Sequence, residues 1–291
     1  MGNNKILILG ATGMLGHTLF SRLSDRHDMD VYATVRSLDG LSRWFSPVLL
    51  SKIQPGVDAD NADSIRSVLT GLRPDVVINC IGIIKQLPEA QDPVVAIAIN
   101  ALLPHRLARA CKEVGARMIH ISTDCVFSGK KGNYTESDFA DADDLYGRTK
   151  YLGEVDYPHC VTLRTSIIGH ELKGKHGLID WFLSQEGNAR GFTRAIYTGF
   201  PTVEMAKIIA DHVIPDGNLH GLFHVSSARI SKYDLLRLVA ERYGKKISID
   251  RYDGFQCDRS LDSARFRTVT GYDPPSWPEL VDKMYLDFSV R

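Results

Sequence analysis

The sequence has no surplus of charge of either sign. Its 35 Lys and Arg are balanced by 35 Asp and Glu over 291 residues. A neutral balance leaves no electrostatic footprint for nucleic acid or an anionic membrane, so neither is expected as a partner. Cysteine is scarce as well. Cys80, Cys111, Cys125, Cys160 and Cys257 are odd in number and form no CxxC pair. They read as buried, reduced thiols of a cytoplasmic protein rather than as a disulfide framework. The ten histidines do not pair with them at ligand spacing, so no metal is expected. No apolar run reads as long enough to span a bilayer. The first residues lack a signal-peptide pattern, because the opening apolar run is short and becomes a strand. Internal repeats, low-complexity tracts and long linkers are missing too. What remains is an α/β chain, long enough for a large sheet with a smaller lobe.

The organising stretch is Lys5 to Gly16. Lys5-Ile6-Leu7-Ile8-Leu9 is an apolar run that fits a buried parallel strand. Gly10-Ala11-Thr12-Gly13-Met14-Leu15-Gly16 then turns into an amphipathic helix carrying Met14, Leu15, Leu19 and Leu23. Gly10 permits the turn, Gly13 lets a pyrophosphate approach the backbone, and Gly16 lets the helix pack closely. The helix N-terminus offers free N–H groups to phosphates. The pattern is GxxGxxG, one residue wider at its first gap than the dinucleotide fingerprint.

A second β-type run, residues 30–36, ends on Val35 and Arg36. An acidic residue there would bind a ribose 2′-OH. Arg36 instead suits a 2′-phosphate, which reads as NADP(H) in preference to NAD(H), with NAD(H) the other option. Residues 38–54 read as irregular. A helix over residues 62–71 follows Asp58-Ala59-Asp60, and a buried strand over 75–82 ends in Asn79 and Gly82. Ligands in doubly wound sheets sit at the carboxyl ends of strands, so Asp58, Ala59, Gly82 and Ile83 are candidates for the cofactor floor. Residues 93–115 read as one long helix whose Asn100 and His105 are satisfied helix residues. A strand over 117–122 leads to Thr123-Asp124-Cys125.

Tyr146-Gly147-Arg148-Thr149-Lys150 places Tyr146 and Lys150 one helical turn apart on one face. A lysine cation beside a phenol favours the phenolate and brings it into working range. The β-α alternation breaks after a strand over 161–166. Residues 169–177 form a loop that can cover a substrate, and 198–202 a turn that starts the helix 203–213. Residues 221–225 read as a strand returning to the sheet. Ser231 caps a helix, and residues 277–288 close the chain as another. The fold expected is therefore a Rossmann-type doubly wound parallel sheet. Residues 1–165, joined by segments around 195–228, form the dinucleotide-binding core. Residues 166–194 and 229–291 form an interleaved substrate lobe.

These motifs together resemble the extended short-chain dehydrogenase/reductases. Within them the chain is most similar to the dTDP-4-dehydrorhamnose reductase family and its nucleotide-sugar relatives. The glycine turn, Arg73-Pro74-Asp75-Val76-Val77-Ile78-Asn79, Ser122-Thr123-Asp124-Cys125-Val126-Phe127-Ser128-Gly129, Tyr146 to Lys150, Leu163-Arg164-Thr165-Ser166 and Gly199-Phe200-Pro201-Thr202 carry the likeness. It implies Tyr146 as proton donor. Lys150 would bind the nicotinamide ribose and lower the tyrosine pKa, and Thr123 would bond the substrate carbonyl. It implies Gly10, Thr12, Gly13, Met14 and Leu15 at the pyrophosphate, with Arg36, Asp58, Ala59, Gly82 and Ile83 along the cofactor. Thr123, Asp124, Cys125, Ile167 and Arg259 would face the sugar. The expected activity is NADPH-dependent reduction of a nucleotide-activated 4-keto-6-deoxy sugar, and family habit implies a homodimer.

Two positions depart from the rhamnose-forming pattern. Cys125 stands where those enzymes usually carry Tyr, and Ile167 where they usually carry a sugar-contacting Trp. Smaller walls suit a bulkier sugar, such as a UDP-2-acetamido-4-keto sugar. An epimerase or dehydratase would retain and recycle its cofactor on the same fold. A non-catalytic regulatory role is the other alternative, since a regulatory subunit of methionine adenosyltransferase is similar to this family.

Overall fold

The computed structural model describes residues 3–290. A first strand, β1 (Asn4–Leu9), sits at the centre of a seven-stranded sheet. Helix α1 (Met14–Ser24) leads to β2 (Met29–Thr34), short α2 (Pro47–Leu50) and edge strand β3 (Ile53–Gln54). Helix α3 (Ala62–Leu72) then feeds β4 (Val76–Asn79), and α4 (Pro93–Ala96) continues into α5 (Leu103–Val114) and β5 (Arg117–Thr123). Helix α6 (Leu145–Leu152) precedes β6 (Cys160–Thr165). Beyond it come β7 (Ile167–Ile168), α7 (Leu178–Ser184), β8 (Asn188–Tyr197), β9 (Phe200–Pro201) and α8 (Thr202–Ile208). The chain closes with β10 (Gly221–His224), β11 (Ile230–Ser231), α9 (Lys232–Arg242), β12 (Ser248–Asp258), α10 (Ala264–Thr270) and α11 (Trp277–Ser289).

The large sheet runs β10-β6-β5-β4-β1-β2-β3, and all its pairings are parallel. This is the doubly wound order expected, with its reversal between β1 and β4. Side chains of β1 alternate between two cores. Ile6 and Ile8 join Leu19, Phe20 and Leu23 of α1 and Met205 of α8 on one face. Leu7 and Leu9 join Ile65 and Leu69 of α3 and Leu103 and Leu107 of α5 on the other. Burial on both faces explains why the strand is apolar throughout.

Residues 93–114 form the long helix expected, with one irregularity. Asp92 caps it through the amides of Val94 and Val95, and residues 97–102 widen into a π turn. Pro104 lacks an N–H, and in regular helix its ring would crowd the Asn100 carbonyl, so the wider turn relieves both. This segment corrects one sequence expectation. The continuous helix spans 22 residues with a window of mean hydropathy 1.3, long and apolar enough to cross a membrane by length and composition, and 50% of that window is buried in the protein.

Three other expectations are corrected. Only Cys111 and Cys160 are buried, whereas Cys80, Cys125 and Cys257 are partly exposed. Residues 38–54 are not wholly irregular, since they contain α2 and β3. The region after 186 is built on a second sheet, β11-β8-β12, whose two long strands did not show in the sequence. β12 is exposed over most of its length and shifts register between Tyr252 and Gln256, so it lacks the alternation that marks a half-buried strand.

Candidate active site

The glycine turn divides its glycines by physical role. Gly10 has φ +86°, a left-handed conformation that disfavours side chains, and the Gly13 amide closes the turn on its carbonyl at 3.1 Å. A Cβ on Gly16 would lie 2.1 Å from the Gly10 oxygen, so the helix can approach only without one. A Cβ on Gly13 would lie 3.5 Å from that oxygen, an ordinary contact. Protein packing therefore requires Gly10 and Gly16 but not Gly13. Thr12 and Gly13 are exposed, α1 has no side-chain N-cap bond, and its first turn carries no acid. Leu15 turns its side chain into the core. A bare turn below uncapped amides fits a dinucleotide pyrophosphate.

At the end of β2, Val35 is buried and Arg36 is exposed. Asp58 and Ala59 follow β3. The Asp58 amide donates to Ser64 Oγ at 3.1 Å, and its carboxylate accepts the Asp60 amide at 3.1 Å, so this group shapes its own turn. Past β4, Asn100 holds Ile83 by both backbone groups, accepting its amide at 2.9 Å and donating to its carbonyl at 3.1 Å. His105 is engaged by Tyr157 and the Leu152 carbonyl. Both residues are satisfied, as expected. A Cβ on Gly82 would lie 3.4 Å from Asn100 Oδ1 and 3.9 Å from Lys150 Nζ. The loop after β4 thus meets α6 at Lys150.

Asp144 caps α6 by accepting the Gly147 amide at 2.8 Å. A Cβ on Gly147 would strike the Cys125 carbonyl at 2.3 Å, so the helix seats closely on the end of β5. That contact brings Tyr146 beside Thr123. Thr123 Oγ1 accepts the Cys125 amide at 3.1 Å and donates to Asp124 Oδ1 at 3.2 Å. Burial pushes Asp124 above the usual carboxylate range, with the Arg259 guanidinium opposing the rise. Arg259 itself donates to the Phe127 carbonyl at 2.7 Å and approaches Cys125 Sγ at 3.7 Å. Burial, reinforced by Asp124, pushes the Cys125 thiol up to about 12. Ile167 stands on β7, paired with Phe200 and packed against the main core.

Lys150 is buried and donates to the Ile121 carbonyl at 2.8 Å. Burial lowers its pKa to about 8, against the opposing pull of Glu154 and Cys80. Tyr146 departs from expectation. Loss of solvation pushes its phenol above the ordinary tyrosine range, Cys125, Asp124 and Asp144 add to the rise, and the Thr123 hydroxyl opposes it. The Lys150 ammonium is committed to the Ile121 carbonyl in this state. Tyr146 accordingly holds its proton, the state a proton donor requires. Among the described residues, no group of His, Cys, Asp and Glu is placed to hold a metal ion.

Residues 4–288 match the family described as RmlD substrate binding domain. The chain belongs to this family. Relatives within reach of the RmlD-family chain have two kinds of name. A dTDP-4-dehydrorhamnose reductase of Mycobacterium tuberculosis is 29% identical over 253 residues, covering 83% of this chain and 76% of its own. A methionine adenosyltransferase 2 subunit beta of Danio rerio is 27% identical over 253 residues, covering 82% and 74%. The dTDP-4-dehydrorhamnose reductase of Bacillus anthracis, solved in complex with NADP, shares the fold with a TM-score of 0.79 at 21% identity, covering 98% of this chain and 99% of that one. The Bordetella bronchiseptica enzyme WbmG, solved with NAD, shares it with a TM-score of 0.80 at 17% identity, covering 99% and 95%.

Two residues at this RmlD-family site escaped the sequence reading. Glu154 accepts Arg164 through Nε and Nη2, both at 2.6 Å, and Ser122 Oγ at 2.7 Å. Glu154 lies just beyond the end of α6 at Leu152, so helical spacing from Lys150 did not mark it. Tyr197 is buried, and burial and the charge of Asp124 raise its pKa against the opposing effect of Ser166. It lies on β8, and only the fold brings it under the charge of Asp124.

Proposed function

We propose that this RmlD-family chain is an NADPH-dependent 4-ketoreductase of a nucleotide-activated 4-keto-6-deoxy sugar, working in the cytoplasm. The observation that carries this reading is the junction of Tyr146 and Thr123 at the carboxyl end of β5, with buried Lys150 beneath them. NADPH, when bound, supplies the hydride that adds to C4. Gly10, Thr12, Gly13, Met14 and Leu15 would hold its pyrophosphate, Arg36 its 2′-phosphate, Asp58 and Ala59 its adenine side, and Gly82, Ile83 and Lys150 its nicotinamide half. Thr123 orients the C4 carbonyl by donating to its oxygen. Tyr146 transfers its phenolic proton to that same oxygen, so the carbonyl leaves as a hydroxyl. Lys150 stabilises the phenolate that remains. Asp124, Cys125, Ile167 and Arg259, from both halves of the chain, would set which sugar fits. The core of residues 1–165 with its returning segments then serves the cofactor, and residues 166–194 and 229–291 serve the sugar.

The relatives named as a methionine adenosyltransferase subunit favour a second reading, a regulatory subunit that binds the dinucleotide without turning over. Joint retention of Thr123, Tyr146 and Lys150 supports catalysis instead. Loss of reduced-nicotinamide absorbance should be followed with dTDP-4-keto-6-deoxy-L-mannose and, separately, a UDP-2-acetamido-4-keto-6-deoxy sugar. Turnover of either, with net NADPH consumption, is expected, and Tyr146→Phe should reduce it by about 10²–10⁴ while leaving NADPH affinity within about twofold. NADPH binding without turnover of any 4-keto sugar would move the assignment to the regulatory reading. A Phe variant with normal turnover would remove Tyr146 from the acid role.

A further inference from the structure

Residues 169–177 link β7 to α7, and the fold ties them down at both ends. His170 is buried, bonded through Nδ1 to Asp180 at 2.6 Å and through Nε2 to the Tyr243 hydroxyl at 2.9 Å. The second oxygen of Asp180 accepts the Glu171 amide at 2.6 Å. Glu171 then accepts the amides of His176 at 2.9 Å and Gly177 at 3.1 Å, closing the loop on itself. A Cβ on Gly177 would lie 2.6 Å from Met14 Cε, so this end of the strap rests on the first residue of α1. At its other side, Lys173 Nζ stands 5.1 Å from the ring centre of Trp44. Trp44 ends the segment that Arg36 opens after β2. The strap therefore runs from the bare N-terminus of α1 to Trp44, eight residues along the chain from Arg36.

The charges along this path are unequal in freedom. Asp180 is committed to His170 and the Glu171 amide, and Glu171 to two backbone amides of its own loop. Asp39, the acid nearest Arg36 in the chain, accepts Ser37 Oγ at 2.7 Å. Lys173 and Arg36 are both exposed. The Trp44 face holds the Lys173 ammonium over the segment that follows Arg36 rather than letting it range through solvent.

We propose that Lys173 is a second cation for the 2′-phosphate of NADP, delivered by a strap from the other half of the chain and acting with Arg36. The inference rests on the cofactor reading above and adds to it a selectivity residue that no spacing motif marks. Two cations on separate elements distinguish NADP from NAD more sharply than one, because only the 2′-phosphate engages both. They also couple cofactor binding to the position of the strap.

Calorimetric titration with NADPH and with NADH should be run on the wild type, Lys173→Met and Lys173→Arg. Lys173→Met should weaken NADPH by about tenfold, leave NADH within about twofold, and flatten the salt dependence of NADPH binding. Lys173→Arg should recover most of the loss. Lys173 is exposed, so neither variant threatens the fold. Equal weakening of both cofactors, or no weakening of NADPH, would overturn the role of Lys173 while leaving the cofactor reading intact. A wild type that binds neither cofactor would overturn both together.

Discussion

Lys150 donates to the carbonyl of Ile121 at 2.8 Å, on the strand whose end carries Thr123. The bond ties a buried ammonium to the backbone two residues before Thr123, and burial holds its pKa at about 8. Two opposite pH dependences follow. The lysine is charged below that value and neutral above it, so kcat/KM for reduction should fall as pH rises through about 8. Stability moves the other way. The unfolded chain keeps this proton up to the ordinary lysine range, so between about 8 and that range unfolding takes up a proton and stability rises with pH. Lys150→Met should abolish both trends, losing activity while gaining stability over the wild type at neutral pH. Paired denaturation and rate profiles from about pH 6 to about pH 10 would test this. A wild-type rate profile with no fall above about 8 would separate the charge on Lys150 from catalysis.

The glycine turn gives a contrast within one motif. Gly16→Ala drives a Cβ to 2.1 Å from a backbone oxygen, which no side-chain movement relieves. It should destabilise the protein by several kcal/mol, about the cost of overpacking a rigid site. Gly13→Ala meets only an ordinary contact at 3.5 Å and should fold with a nearly unchanged melting temperature. Its cost should appear in binding, as an NADPH Kd raised by about tenfold or more, because the methyl occupies the approach of the pyrophosphate. Thermal melts and titrations of the two variants would decide. Intact cofactor binding in Gly13→Ala would mean the turn serves the fold alone.

Much of this was readable because the first half of the chain obeys local rules. Ile6 to Leu9 are buried on both faces, and such strands announce themselves as apolar runs. Tyr146 and Lys150 sit one turn apart on a helix that Asp144 caps, so sequence spacing becomes distance directly. Illegibility begins where structure depends on remote partners. β8 and β12 support each other, and β12 faces solvent, so neither periodicity nor turn residues marked them. Tyr197 feels the charge of Asp124, and Lys173 reaches Trp44, only through tertiary folding. The proton state of Tyr146 was also beyond the motif. The pattern supplies a neighbouring cation, whereas the fold turns that cation to Ile121 and buries the phenol.

Glu154 and Arg164 form a bidentate pair with side chains only 10% and 3% exposed. Arg164 also faces His224, whose pKa burial lowers to about 4 and which therefore stays neutral near pH 7. Glu154→Gln should leave the guanidinium buried without a counter-charge, at a cost of about 3–5 kcal/mol in urea unfolding. The double variant Glu154→Gln with Arg164→Met should recover part of that loss, since it removes the stranded charge. Additive losses in the double variant would show that the two residues stabilise the fold separately.

Sugar selection should rest on Cys125. Its thiol faces Arg259 at 3.7 Å, and its carbonyl is pressed by Gly147, so the backbone there is fixed while the side chain is small. A fixed backbone turns a side-chain enlargement into a loss of pocket volume rather than a local shift. If the small walls at Cys125 and Ile167 make room for a 2-acetamido group, Cys125→Tyr should reject that group sterically. The expected outcome is a fall of about 10–200-fold in kcat/KM for the UDP-2-acetamido substrate, the discrimination an apolar wall can deliver. Turnover of the 2-hydroxy sugar and NADPH affinity should be nearly unchanged. Cys125→Tyr with Ile167→Trp should deepen the preference, because on this reading Ile167 on β7 adds a second wall to the one in the turn after β5. Equal losses on both sugars would show that the substitution distorts the Thr123–Tyr146 junction, and the source of specificity would then lie with Arg259 and the rest of the second half.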